Sequence, residues 1–88
     1  MTKDFEIIKE KMKNSLLNEK PIYNGFDKTE IVGYTVSAPS IARKNYVLNR
    51  AQNLVQKFEL NLNVFEDDSM RLTDRFIIAK KEYNVQQH

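Results

Sequence analysis

Residues 39–60, PSIARKNYVLNRAQNLVQKFEL, carry a periodicity long enough to decide a secondary structure by themselves. At about 100° per residue, Val47, Leu48, Ala51, Leu54, Val55 and Phe58 converge on one apolar sector about 120° wide, which predicts an amphipathic helix whose apolar face must be covered by the rest of the chain. Pro39 stiffens the entry to this helix. Ser40 is its natural N-cap, with a hydroxyl able to accept from an otherwise orphan backbone N–H. Arg43, Tyr46, Arg50, Asn53 and Lys57 advance by three and four residues in alternation and form a second, solvated stripe. Lys44 is the misfit: its angle lies inside the apolar sector, one turn from Leu48, where snorkelling of its aliphatic stem accounts for it.

What can cover such a helix is bounded by size. The chain has 88 residues, enough for one small domain that buries about 60–65% of its unfolded surface. With no cysteine, stability must come from hydrophobic burial, helped by a partner where the chain has one. A composition 41% hydrophobic and 30% charged, with two glycines and two prolines, is that of a globular chain and not a disordered one. No run approaches the roughly 20 apolar residues of a membrane span, and the charged N-terminal stretch lacks the apolar core of a signal peptide, so a soluble cytoplasmic protein is expected.

Before the central helix, Phe5, Ile8, Met12 and Leu16 recur at helical spacing and predict a first helix over residues 3–18, capped by Thr2 or Asp4 and stopped before Pro21. Residues 21–24 and 30–36 are β-rich and separated by turn residues around Asn24 and Gly25, which predicts a hairpin. After the helix, Leu60, Leu62 and Val64 alternate with asparagines as a strand, and Glu66, Asp67, Asp68 and Ser69 form a turn. Residues 70–83 fit two templates. Met70, Leu72, Phe76 and Ile78 alternate as a strand, whereas Leu72, Phe76, Ala79 and Tyr83 are spaced as a helix. A strand over 70–81 would complete a hairpin with 60–65, and residues 84–88 read as a frayed tail.

The expected fold class is therefore α+β: a single two-layer domain over residues 1–88 in the order α-ββ-α-ββ, two helices on one face of a mainly antiparallel sheet of three to four strands. The alternative makes 70–83 a third helix.

The chemistry available is narrow. The only histidine is His88, at the end of the chain, and without cysteine the usual zinc and haem ligands and the usual hydrolytic dyads are missing. Glu66, Asp67 and Asp68, with Asp74 nearby, have neither the alternation nor the central glycine of a calcium loop and read as an ordinary acidic turn. Neither glycine opens a phosphate-binding loop. No enzyme activity, cofactor or metal is expected; the less favoured enzymatic alternative is a carboxylate- and metal-dependent one, with Glu66, Asp67 and Asp68 holding Mg²⁺.

Two surfaces remain. Arg43, Lys44, Tyr46, Arg50, Asn53 and Lys57 on the central helix are the candidate partner- or nucleic-acid-binding residues, in an outer surface rich in asparagine and glutamine. Glu66, Asp67 and Asp68 are a candidate acidic partner patch. Ten lysines, nine asparagines and seven isoleucines point to an AT-rich genome such as bacteria and their phages carry. The expected function is that of a small non-enzymatic regulator or inhibitor binding another protein. Its means are a long sheet edge open to strand addition, the segregated charges, and association as a homodimer. The alternative is a nucleic-acid-binding regulator using the basic stripe, although a net charge of +2 does not demand one.

Overall fold

The computed structural model describes residues 3–13, 15, 18–24, 30–67 and 74–82. Two helices and four strands follow one another as α1 (Lys3–Lys11), β1 (Lys20–Tyr23), β2 (Ile31–Ser37), α2 (Ile41–Lys57), β3 (Leu62–Glu66) and β4 (Arg75–Lys80). The order is the one the periodicities predict. The strands form a single antiparallel sheet in the spatial order β1-β2-β4-β3, so the last strand lies inside the sheet.

β4 is where the two sequence templates conflict, and the sheet decides for the strand. Phe76, Ile77, Ile78, Ala79 and Lys80 are all buried, because β4 has a strand on either side. A strand buried on both faces loses its alternation and reads as a continuous apolar run. Asp74 and Lys81, at the ends of the expected strand, are turn residues instead, and residues 70–73 lie outside the described residues.

The register sorts the side chains by face. Tyr34 pairs with Ile78 and Ile78 with Val64, while Val36 pairs with Phe76 and Phe76 with Glu66. This is the face on which both helices pack. Phe5, Ile8 and Met12 from the α1 side and Val47, Leu48 and Ala51 from α2 join Val36, Leu62, Phe76 and Ile78 in one core. Phe5 meets Tyr34 edge to face at 5.2 Å. On the reverse face Ile22, Gly33, Ala79 and Asn63 lie in one row. A Cβ on Gly33 would come within 2.9 Å of the Ile78 carbonyl oxygen and 3.1 Å of the Ala79 Cβ, so this row closes only with glycine at its centre.

α1 is shorter than expected. Met12 is core, but its N–H is shared between the carbonyls of Ile8 and Lys9, and the helix gives way to a turn at Met12 and Lys13. Asn18 then adopts φ 56°, which turns the chain back toward β1. Leu16 lies outside the described residues. The start of α1 is held from elsewhere: the Asp4 carboxylate accepts the Asn61 N–H at 2.9 Å, next to the positive end of the helix dipole.

α2 begins as expected, with the Ser40 Oγ accepting the Arg43 N–H at 3.1 Å. Its far end corrects one assignment. Phe58, placed in the core by its helical angle, is 40% exposed, because the helix stops at Lys57 and Phe58 occupies the C-cap. The Leu60 N–H reaches the Val55 carbonyl at 2.9 Å and the Glu59 N–H the Gln56 carbonyl at 3.3 Å, with Glu59 left-handed at φ 54°. This closing motif swings Leu60 into the core in place of Phe58.

Candidate functional site

Lys44 and Glu66, assigned by sequence to two separate surfaces, meet. Lys44 is 3% exposed, and its Nζ donates to Glu66 Oε2 at 2.9 Å. The angle that sets Lys44 apart from the basic stripe carries it over the end of β3, where Glu66 shares the helix-packed face with Leu62 and Val64. The pairing therefore closes one corner of the core and takes Lys44 off the basic stripe, while the Glu66 side chain stays largely exposed. Asp67 continues from β3, its N–H donating to the Arg75 carbonyl at 3.3 Å, and Asp68 lies outside the described residues. Among the described residues no three of His, Cys, Asp and Glu come together in a group able to hold a metal ion.

A second buried lysine closes the opposite corner. Lys80 Nζ donates to Glu30 Oε2 at 2.8 Å, and Asn24 Nδ2 donates to Glu30 Oε1 at 3.3 Å. The Lys80 hydrogen bond first, then the one from Asn24, hold the Glu30 carboxyl below its ordinary pKa. On α1, Lys9 pairs with Glu19 at 3.2 Å and stands 4.7 Å above the Tyr34 ring. Desolvation, the strongest single influence on Lys9, lowers its pKa, yet the hydrogen bond and charge of Glu19 together with Tyr34 outweigh it and raise the ammonium above its ordinary value.

Freed of Lys44, the outer face of α2 forms a shallow groove of about 410 Å³ lined by Tyr46, Asn49, Arg50, Asn53, Leu54 and Lys57. Tyr46, Arg50, Asn53 and Lys57 are thus brought together as their spacing predicts. Arg43 joins them through its guanidinium, 5.1 Å from the Tyr46 ring centre. Tyr46 is 55% exposed, the most exposed large apolar side chain among the described residues. α2 contains no Asp or Glu anywhere along its length.

Three side chains at the far end were not legible as part of this surface. Leu54, counted with the core, is half-buried and also floors the groove. Phe58 lies between two ammonium groups, Lys11 at 4.5 Å and Lys57 at 5.6 Å. Lys11 comes from α1, and no local spacing could announce it. Arg50 is committed at one nitrogen, which donates to the Lys11 carbonyl at 3.4 Å and so satisfies an orphan acceptor at the end of α1. The cations of this face are therefore held against rings and carbonyls as well as exposed to solvent. Such cation–ring contacts contribute about 0.5–1 kcal/mol each at exposed sites.

The sheet edges differ from the long open edge expected. β1 and β3 are the outer strands, four and five residues long. β1 contains Pro21, which offers no N–H. On β3, the bonds from the Lys81 N–H to the Asn61 carbonyl and from the Asp67 N–H to the Arg75 carbonyl show that the odd residues face β4. Leu62, Val64 and Glu66 thus turn their backbone groups outward, and Gln52 of α2 covers the Val64 carbonyl at 3.0 Å. No helix among the described residues is long and apolar enough to cross a membrane. Comparison with protein-family models, curated proteins and solved structures finds no match.

Proposed function

We propose that this chain is a non-enzymatic binding module, a small regulator or inhibitor that acts by seating another protein on the outer face of α2. The observation that carries the reading is the groove from Tyr46 to Lys57: apolar at Leu54 and Tyr46, lined by free amides, cationic through Arg50 and Lys57, and set on a helix without a carboxylate. Exposed tyrosine and arginine around a concave patch are the residue types that dominate protein interfaces. The absence of acidic residues from the helix favours a partner with an acidic surface. Strand addition and self-association through the sheet are not part of this reading, because Pro21 and Gln52 obstruct the two edges.

Affinity capture from a lysate of an AT-rich bacterium, with the wild type beside a Tyr46→Ala/Lys57→Glu double variant, tests the reading. The expected result is an acidic protein retained by the wild type and lost with the variant. Retention of nothing, or of the same proteins by both, overturns it.

The spacing of Arg43, Arg50 and Lys57 along one face favours a second reading, a regulator that lays this stripe along a phosphate backbone. It ranks lower because the groove between the cations is floored by Leu54 and walled by Asn49 and Asn53, which a phosphate backbone does not need, and because the net charge is only +2. Fluorescence anisotropy with labelled DNA and RNA at about 50 mM salt separates the two: binding that weakens when all three cations are changed to glutamine supports this one, and no binding removes it.

A further inference from the structure

The groove on α2 is lined by more than cations, and its amides indicate the conformation of what it receives. Asn49 and Asn53 stand one helical turn apart on its wall, both exposed, and neither side-chain amide hydrogen-bonds another described residue. Four residues of α-helix advance about 6 Å. Two residues of an extended chain advance about 6.6 Å, and every second residue of such a chain turns its N–H and C=O the same way. Each asparagine amide carries both a donor and an acceptor, so the pair matches two successive outward-facing peptide groups of an extended segment lying along the helix. A helical occupant has no such groups to offer, since its backbone is bonded internally, and it would need a longer apolar ridge than Tyr46 and Leu54 supply.

The same helix already makes this contact on its other flank. Gln52 sends its amide nitrogen to the outward carbonyl of Val64, in a strand lying alongside α2, at 3.0 Å. Asn49 and Asn53 repeat the chemistry on the side that faces away from β3, with no strand of the described residues to receive it. Arg50 and Lys57 beside them fix the charge of the occupant. From Tyr46 to Lys57 the groove runs about 16 Å, the length of about five extended residues.

We infer that the groove of α2 binds an extended, acidic segment of another protein, with Asn49 and Asn53 holding its main chain and Arg50 and Lys57 its carboxylates. This rests on the proposed function and adds the conformation and charge pattern of the partner segment.

Selection of a randomised linear peptide library displayed on phage against the folded protein tests it, followed by affinity measurement on the most enriched peptide. The expected consensus has Asp or Glu at every second position with apolar residues between. Changing Asn49→Ala together with Asn53→Ala weakens that peptide about tenfold or more, as the loss of two hydrogen bonds implies. Alanine at exposed helix positions favours the helix, so the double variant stays folded, which circular dichroism verifies. An acidic consensus spaced by three and four residues overturns the extended occupant and leaves the acidic protein partner standing, as does a double variant that binds the peptide as well as the wild type. A basic consensus, or no enrichment over the bare support, overturns both.

Discussion

The Lys44 ammonium and the Glu66 carboxylate are 2.9 Å apart but differ sharply in exposure: the lysine side chain is 4% exposed, the glutamate side chain 64%. Removing either partner therefore has unequal consequences. Without Lys44 the carboxylate simply returns to water, so Lys44→Met, which keeps the apolar stem, should lie within about 1 kcal/mol of the wild type. Without Glu66 a charge is left buried and unpaired, and Glu66→Ala should cost on the order of 2 kcal/mol, below the full penalty of a wholly buried pair because the Glu66 side chain is itself 64% exposed and its removal admits water to the ammonium. Urea denaturation of the two single variants checks the asymmetry.

Gly33 sits where two strands meet too closely for a side chain, with the Ile78 carbonyl 2.9 Å from the position of a Cβ. Backbone at the centre of a sheet cannot yield as a flexible side chain would. Gly33→Ala should cost about 1–3 kcal/mol, read as a fall in the urea midpoint at unchanged slope.

Glu59 holds a left-handed conformation that side chains other than glycine and asparagine adopt at a cost of about 1–2 kcal/mol. Glycine relieves that strain and loses part of the gain to the entropy of the unfolded chain. Glu59→Gly should therefore stabilise the protein by about 0.5–1 kcal/mol, measurable as a rise in Tm.

Glu30 is held below its ordinary pKa by Lys80 and Asn24, so its stabilising contribution is present above the ordinary carboxylate pKa and is lost as the pH falls through the lowered value. The wild type should exceed Glu30→Gln in urea midpoint at neutral pH, and the difference should vanish in acid. Lys9 has the opposite sign. Its raised pKa gives a contribution present below the ordinary lysine pKa and lost as the pH rises through the raised one, so Lys9→Met should converge with the wild type only in strong alkali.

How much of this was legible in the chain differs from element to element. α2 could be read because one face of a long helix is wet, and β3 because one face of an edge strand is. β4 was ambiguous for the converse reason, since burial on both faces erases the alternation that distinguishes a strand. The angle of Lys44 announced that it differed from Arg43 and Arg50, but its partner lies 22 positions away and only the register of β3 brings it near. Phe58 was misplaced because helical angles are meaningless beyond the last turn, and a glutamate in place of the usual glycine concealed where that turn ends. The groove was half visible: Tyr46, Arg50, Asn53 and Lys57 share a local period, whereas Lys11 beneath Phe58 arrives from another helix.

The placement of β4 between β2 and β3 has a consequence in time. During synthesis from the N-terminus, β2 and β3 both emerge before residues 75–80, and neither has the other as a neighbour in the finished sheet. α2 is then complete with its apolar face uncovered, and its central floor, Phe76 and Ile78, is still to come. The β1–β2 hairpin can close early, but the core waits for β4 to slide in and join the two halves. On the ribosome the core should therefore assemble late and cooperatively, with α2 fixed in place only once β4 has paired.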